Sequence, residues 1–346
     1  MVAKAYGTGE VARRLNVTPH TVRLYIESGQ LKAQPTPGGQ ARITEEALQD
    51  FLRRKQDQPR CQVVAIANQK GGVGKTTSAV AVSAALVDQG QRVCLIDVDP
   101  QANATDAVGF DRRRTYPALH DALRAALDGQ EAALPVVPIE PGWDLVPSHI
   151  DLARMETEII LKAMNKIKIL RPLVDQLRPY YDWIILDCGP SLGLVNLNAL
   201  LAADWVLIPQ VPDSISAQGL GQLELTIRDV QRWGREDRQP HPLAVLGVFL
   251  VRVEHADHHR QMREQLAQFC QAGRIPFLSA RTEDERRENR PDQVEIPKTV
   301  AVADAFGETR PVSRYAPAGA ARDGYRKLAR IMLAQIGHLV EESLYA

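Results

Sequence analysis

The sequence predicts an α/β protein: a mostly parallel, doubly wound sheet with helices on both faces, preceded by a small all-α (winged) helix-turn-helix domain. Three observations predict it. From Cys61 onward, apolar runs of strand length alternate with helical stretches, the pattern of parallel strands joined by crossover helices. A glycine loop, Lys70-Gly71-Gly72-Val73-Gly74-Lys75-Thr76-Thr77, follows the first of those runs and opens a helix. The segment before Cys61 reads as helix, short turn, helix.

The totals bound the rest. At 346 residues the chain is long enough for more than one domain, and its 45% hydrophobic and 24% charged content is ordinary for a soluble protein. Formal net charge is zero, so binding to DNA or membrane has to use local patches. Cys61, Cys94, Cys188 and Cys270 are scattered with no C-x-x-C, which argues against a zinc module or disulfide framework and for a reduced cytoplasmic setting. No apolar stretch approaches the ~20 residues of a membrane span, and the N-terminus lacks a signal peptide's apolar core, so no membrane partner is expected.

Residues 1–58 are expected to form the first domain and its linker. Gly9 to Leu15 suits a short helix with Val11, Ala12 and Leu15 inward. Thr18 is a good N-cap and Pro19 fits the first position of a second helix, which Ser28-Gly29 ends. Pro37-Gly38-Gly39 turns a hairpin or wing, and Thr44 caps a third helix from Glu45 to about Arg54 with Ala47, Leu48 and Phe51 as its apolar face. In such a plan the second helix enters the major groove, which makes His20, Thr21 and Arg23, with Arg42 in the wing, candidate DNA contacts. Each reads equally as a plain surface residue.

Residues 59–346 are expected to form the second domain. Its strands are Val63–Ala67, Val93–Ile96, Leu145–Pro147, Trp183–Leu186, Trp205–Pro209 and Leu243–Val251. Arg281 to Asp292 is densely charged without apolar periodicity and reads as an exposed loop.

The glycine loop has the chemistry of a phosphate cradle. Glycines let backbone N–H groups close around an anion, and the helix start adds partial positive charge. In Gly71, Gly72, Val73, Gly74, Lys75, Thr76 and Thr77, Lys75 is placed to reach β- and γ-phosphates and the Thr76 hydroxyl to hold Mg²⁺. The first glycine of the plain G-x-x-x-x-G-K-[ST] pattern is replaced by Gln69, and Lys70 follows it. Closing the loop does not need Lys70. Two strands end in carboxylates, at Asp97-Val98-Asp99-Pro100 and at Asp187-Cys188-Gly189-Pro190, where the ligand crevice of an open α/β sheet lies. Asp187 has the position of a carboxylate near Mg²⁺, directly or through water, and a carboxylate after the second strand can orient the attacking water. Asp97 is a further candidate for the metal. Pro212 and Asp213, after another strand, read as a base or ribose contact or as a simple turn.

These residues together resemble the ParA/MinD family of deviant Walker A ATPases. The likeness is carried by the glycine loop, Asp97-Val98-Asp99-Pro100-Gln101, Pro147-Ser148…Asp151-Leu152, Asp187-Cys188-Gly189-Pro190 and the late Ile296-Pro297…Tyr315. Residues 9–42 resemble a MerR-type helix-turn-helix. The resemblance implies an ATP- and Mg²⁺-dependent, nucleoid-associated ATPase that segregates DNA as a homodimer with a ParB-like partner. It assigns Lys75 to phosphate, Thr76 to Mg²⁺, Asp99 to the attacking water and Asp187 to Mg²⁺ support. It sends Lys70 across a nucleotide-sandwich dimer to the partner's phosphates. Gly189 departs from the proline commonest in this switch. The family binds nonspecific DNA through C-terminal basic residues, which points to Arg228, Arg310, Arg314, Arg322 and Arg326. The last two, with Arg330, share a helix face that reads equally as merely solvated. Leu328–Leu344 is amphipathic, yet Glu341 and Glu342 fit poorly with anionic lipid.

Overall fold

The computed structural model describes residues 5–15, 22, 26, 31–35, 41–57, 61–113, 116–162, 168–191, 193–213, 216–236, 243–254, 256–288, 290–315 and 319–345. The chain divides into two compact units, Met1–Arg60 and Cys61–Ala346.

In the first unit, strands β1 (Ala5–Gly7), β2 (Gln34–Pro35) and β3 (Ala41–Thr44) form an antiparallel sheet with β3 in the middle. The wing is thus larger than a hairpin, because a strand before the first helix joins it. Helix Thr8–Leu15 buries Val11 and Ala12. Helix Glu45–Asp57 starts as expected, with the Ala47 N–H donating to Thr44 Oγ1 at 3.1 Å, and buries Leu48 and Phe51. Arg14 lies 4.0 Å above the Tyr6 ring, and the Tyr6 hydroxyl donates to Glu45. Arg42 is exposed on β3. His20, Thr21 and Arg23 lie outside the described residues.

The second unit is built on an eight-stranded sheet: β4 (Gln62–Ile66), β5 (Val93–Asp97), β6 (Val137–Glu140), β7 (Trp143–Val146), β8 (Trp183–Asp187), β9 (Trp205–Gln210), β10 (Ala244–Val253) and β11 (Glu295–Pro297), in the order β11-β10-β9-β4-β8-β5-β7-β6. Every pairing is parallel except β6 with β7. Both faces are buried, as the apolar runs require. Val63 and Ala65 pack in the core under helices Leu119–Leu127, Leu152–Lys162 and Leu194–Ala202. Val64 and Ile66 pack in the opposite core with Val80 and Val82 of helix Lys75–Val87 and Leu328 and Met332 of helix Gly319–Tyr345. Each fully buried valine or leucine of this kind contributes roughly 1.5–3 kcal/mol.

Because the strands are parallel, the segments after β4, β5, β7, β8, β9 and β10 all emerge at one edge of the sheet. β4 sits centrally, between β8 and β9, so its loop lies amid the others. The charged stretch from Arg281 is not wholly a loop: helix Glu283–Glu288 forms there, and Arg286 pairs with the largely buried Glu295 at 2.9 Å. Among the described residues, no helix is long and apolar enough to cross a membrane.

Candidate functional site: a phosphate loop facing three carboxylates

The loop between β4 and helix Lys75–Val87 uses two of its glycines for conformation. Gly72 and Gly74 both have φ of 73°, in the left-handed region that residues with a Cβ avoid. Gly74 caps the helix, and its carbonyl accepts the Ser78 N–H at 2.8 Å. Asn68 anchors the loop's start. Its Oδ1 accepts the Lys70 N–H at 3.0 Å, while its amide donates to Pro209 O at 2.8 Å and to Gln210 Oε1 at 2.7 Å.

The two lysines are used differently. Lys75 is buried, and its ammonium donates to the Lys70 carbonyl at 2.9 Å. Burial lowers its pKa, against the opposing pull of Asp187, Cys188 and Asp99. Lys70 points outward to an ion pair with Asp213, and its side chain remains 25% exposed. Asp213 therefore stands beside the loop, in a recess lined also by Gly71, Gly72, Val73, Val211 and Arg252; Pro212, next to it in the chain, is buried and does not line that recess. Thr76 and Thr77, in the first turn, are half-buried.

Three carboxylates gather where β5 and β8 end. Asp97 and Asp187 are paired across the two strands, and both are fully buried. Asp97 organises the loop that follows it: its oxygens accept the Asp99 N–H at 3.1 Å, the Thr105 N–H at 2.8 Å and the Thr105 hydroxyl at 2.7 Å. Burial raises its pKa, and these donors hold it back. Asp99 is also buried; its Oδ1 accepts the Gln101 N–H at 2.9 Å, and its backbone carbonyl accepts the Ser148 hydroxyl at 2.7 Å. Asp187 differs from both: neither of its buried oxygens accepts a hydrogen bond of normal geometry, and the Thr76 hydroxyl is only loosely engaged with it. Burial and the Asp97 charge push its carboxyl well above the usual range; the Thr76 hydroxyl and Lys75 pull the other way without prevailing. A buried carboxylate so weakly partnered is costly. Two further carboxylates and a threonine hydroxyl beside it make an oxygen-rich pocket, which is the donor chemistry a hard divalent cation such as Mg²⁺ takes. The residues present thus fit a magnesium ion.

The turn after β8 is gripped by Asn196. Its Oδ1 accepts the Gly189 N–H at 3.0 Å, and its amide donates to the carbonyls of Gly189, at 3.1 Å, and Ser191. A Cβ at Gly189 would stand 3.4 Å from the Asp99 carboxyl carbon. The Asp99 carboxylate and the Asn196 amide therefore bound the space that a side chain at position 189 would fill.

Sequence reasoning missed Asn68, Asn196 and Arg252, and gave Ser148 no role beyond its place in a motif. Arg252 is the most unusual of them: it has a φ of 54°, sits at the irregularity between Val251 and Val253, and donates from Nη1 to the Gly72 carbonyl at 3.0 Å. Its one signal was its position at a strand's carboxyl end.

The candidate DNA-contacting arginines of this unit make their ion pairs away from this site. Arg228 is exposed on helix Ser216–Glu236 and paired with Glu224 at 2.6 Å. Arg310 lies 3.8 Å from Glu308, and Arg322 lies 3.9 Å from Asp323. Arg314 pairs with Asp88 and Glu140, and Arg326 meets Asp88 at 3.3 Å. Asp88 is the C-cap of helix Lys75–Val87, so two of these cations sit where a helix carries partial negative charge.

The comparisons agree with this geometry. The family model described as AAA domain matches residues 61–238, and one described as helix-turn-helix domain matches residues 5–56. Sporulation initiation inhibitor protein Soj of Bacillus subtilis is 32% identical over 274 residues, covering 79% of this chain and 98% of Soj. Chromosome partitioning protein ParA of Caulobacter vibrioides is 34% identical over 276 residues, covering 79% and 94%. A crystal structure of cobyrinic acid a,c-diamide synthase from Mycobacterium smegmatis, with bound ADP and magnesium, is 30% identical with a TM-score of 0.61 and covers 79% of this chain and 94% of that one. The chain belongs to the ParA-type ATPase family, within the AAA-domain P-loop NTPases, and carries an N-terminal helix-turn-helix domain.

Proposed function

We propose that this chain is an ATP-dependent DNA-segregation ATPase that partitions a plasmid or chromosome. Its ATP-bound homodimer binds DNA without sequence preference, and a ParB-like centromere-binding partner stimulates hydrolysis. The observation that carries the reading is the division of labour between the lysines: Lys75 is folded into the loop, and Lys70 reaches out at its rim. A lysine at the rim, once released from its ion pair with Asp213, would be available to a second subunit's phosphates, where it would neutralise charge as an arginine finger does.

The roles follow from the donors. Lys75 and the loop's backbone amides bind the phosphates, and Asp213 with Pro212 flanks the nucleotide. Thr76 and Asp187, directly or through water, would hold Mg²⁺, which would supply neutralisation of the phosphate charge. Asp97 fixes the segment that presents Asp99, and Asp99 orients the water. The Gly189 turn, whose side-chain space Asp99 bounds, transmits the nucleotide state outward. Arg228, Arg310, Arg314, Arg322 and Arg326 are the DNA-facing candidates in this unit. Using Arg314 and Arg326 would require breaking their pairs with Asp88. The protein would work in the cytoplasm, on the nucleoid.

The helix-turn-helix domain supports a second reading, a transcription regulator with nucleotide as its allosteric ligand, or autorepression alongside segregation. One binding experiment separates them. Nonspecific DNA binding should be strong with ATP, weak with ADP and lost in Lys75→Ala; operator-specific binding that survives Lys75→Ala would favour the regulator. Equal nonspecific binding in ATP and ADP contradicts the segregation switch.

A further inference from the structure

A second cluster of polar side chains lies outside the nucleotide pocket. His120 is the second residue of helix Leu119–Leu127, and the Leu119 N–H donates to the Pro147 carbonyl at 2.9 Å, tying that helix start to the segment after β7. That segment carries His149 and Asp151. The His120 and His149 rings lie 5.6 Å apart between centroids, tilted by 31°. Taking one ligand atom from each residue, the atoms of His120, His149 and Asp151 all lie within 4.8 Å of one another.

Two features of this cluster are unexplained by packing. His120 is only 7% exposed, yet its Nδ1 has no hydrogen-bond partner; its Nε2 lies 3.3 Å from Asp121 Oδ1. His149 Nδ1 faces contradictory neighbours. It accepts the Asp151 N–H at 3.3 Å, which requires a bare nitrogen, and stands 3.1 Å from Asp151 Oδ2, which calls for a proton between them. A cation that takes the Nδ1 lone pair in place of the long Asp151 N–H contact resolves the second one without a proton. The distance suits one: ligands held at about 2.0–2.1 Å on a tetrahedral ion are about 3.4 Å apart. The remaining ligand closes on the ion with a movement of about 1.4 Å, within reach of side-chain rotation.

We propose that His120, His149 and Asp151 bind one divalent transition-metal ion of the Zn²⁺ or Co²⁺ class. Two imidazoles and a carboxylate with a fourth position open select such an ion, whereas Mg²⁺ prefers all-oxygen sites. The ion has an entry path, since the His149 and Asp151 side chains are 21% and 34% exposed. Its competitor is Arg154, which approaches Asp151 Oδ1 at 3.6 Å from a side chain that is 77% exposed. The site lies one residue from Ser148, whose hydroxyl holds the Asp99 carbonyl.

The test is titration of the full chain, free of nucleotide, with Co²⁺ alone, followed by visible absorption and then by Zn²⁺ competition. One equivalent of Co²⁺ should give the intense bands of a tetrahedral site, and Zn²⁺ should remove them. His149→Gln, at a partly exposed position, should weaken binding by about ten-fold or more, and Asp151→Asn should weaken it as well. His258→Gln, in the other histidine pair, should change nothing. A wild-type chain without tetrahedral absorption, or a His149→Gln variant that binds as well as wild type, overturns the proposal.

Discussion

Gly74 is the residue on which the phosphate loop turns into a helix. At its φ of 73° an alanine has room, because the nearest atom to a new Cβ would be Val251 Cγ2 at 3.9 Å. The cost of Gly74→Ala is therefore conformational, about 1–2 kcal/mol, and denaturant unfolding should show a loss of that size; an unchanged midpoint contradicts it. Asp187 makes a second prediction at this scale. Its pKa is raised in the folded chain, so the folded state keeps a proton that the unfolded state has released. Stability from this group is full below the ordinary carboxylate range and drains away as pH rises through the folded value. Asp187→Asn removes that dependence. In mildly alkaline buffer without nucleotide the variant should melt a few degrees above wild type, and the two should converge in acid. Mg²⁺ with ATP should raise the melting temperature of wild type and have little effect on the variant. A variant that melts below wild type in alkaline buffer argues against the strained carboxylate described here.

At the scale of elements, the Gly189 turn hangs on one side chain. Asn196→Ala removes three hydrogen bonds to residues 189–191, leaves the Gly189 N–H without its partner and should cost about 1–3 kcal/mol. Amide exchange in that turn should accelerate, and hydrolysis should fall with little change in nucleotide affinity; exchange as slow as in wild type would show that another contact holds the turn. Much of this level was legible beforehand. The strand runs at Val63, Val93, Trp183 and Trp205 were visible because each is buried on both faces and reads as continuous apolar sequence. β6, β11 and β1 were not, being short edge strands or, in β1, three residues with no room for alternation. Helix Glu283–Glu288 was read as loop because its order comes from Arg286 reaching Glu295, a pairing with no local periodicity. The site divides likewise. The glycine loop and the strand-end aspartates announce themselves over a few adjacent residues. Arg252 meets Gly72 across 180 positions, and only the folded sheet brings them together.

At the scale of the whole molecule, the central claim is that the catalytic unit is a pair of chains. Single variants do not distinguish a lysine acting within its own subunit from one acting across the interface. Mixing two inactive variants does. Lys70→Ala keeps its own Asp99, and Asp99→Ala keeps its own Lys70. If Lys70 acts in trans, a mixed dimer contains one complete site: the Asp99 of the first chain beside the Lys70 of the second. The decisive measurement is steady-state ATP hydrolysis of the two variants alone and mixed, with Mg²⁺ and DNA present. Each alone should be nearly inactive while still binding ATP, and the mixture should recover a substantial fraction of wild-type activity. A mixture as inactive as its components, with mixed dimers demonstrably formed, would contradict the intersubunit role of Lys70.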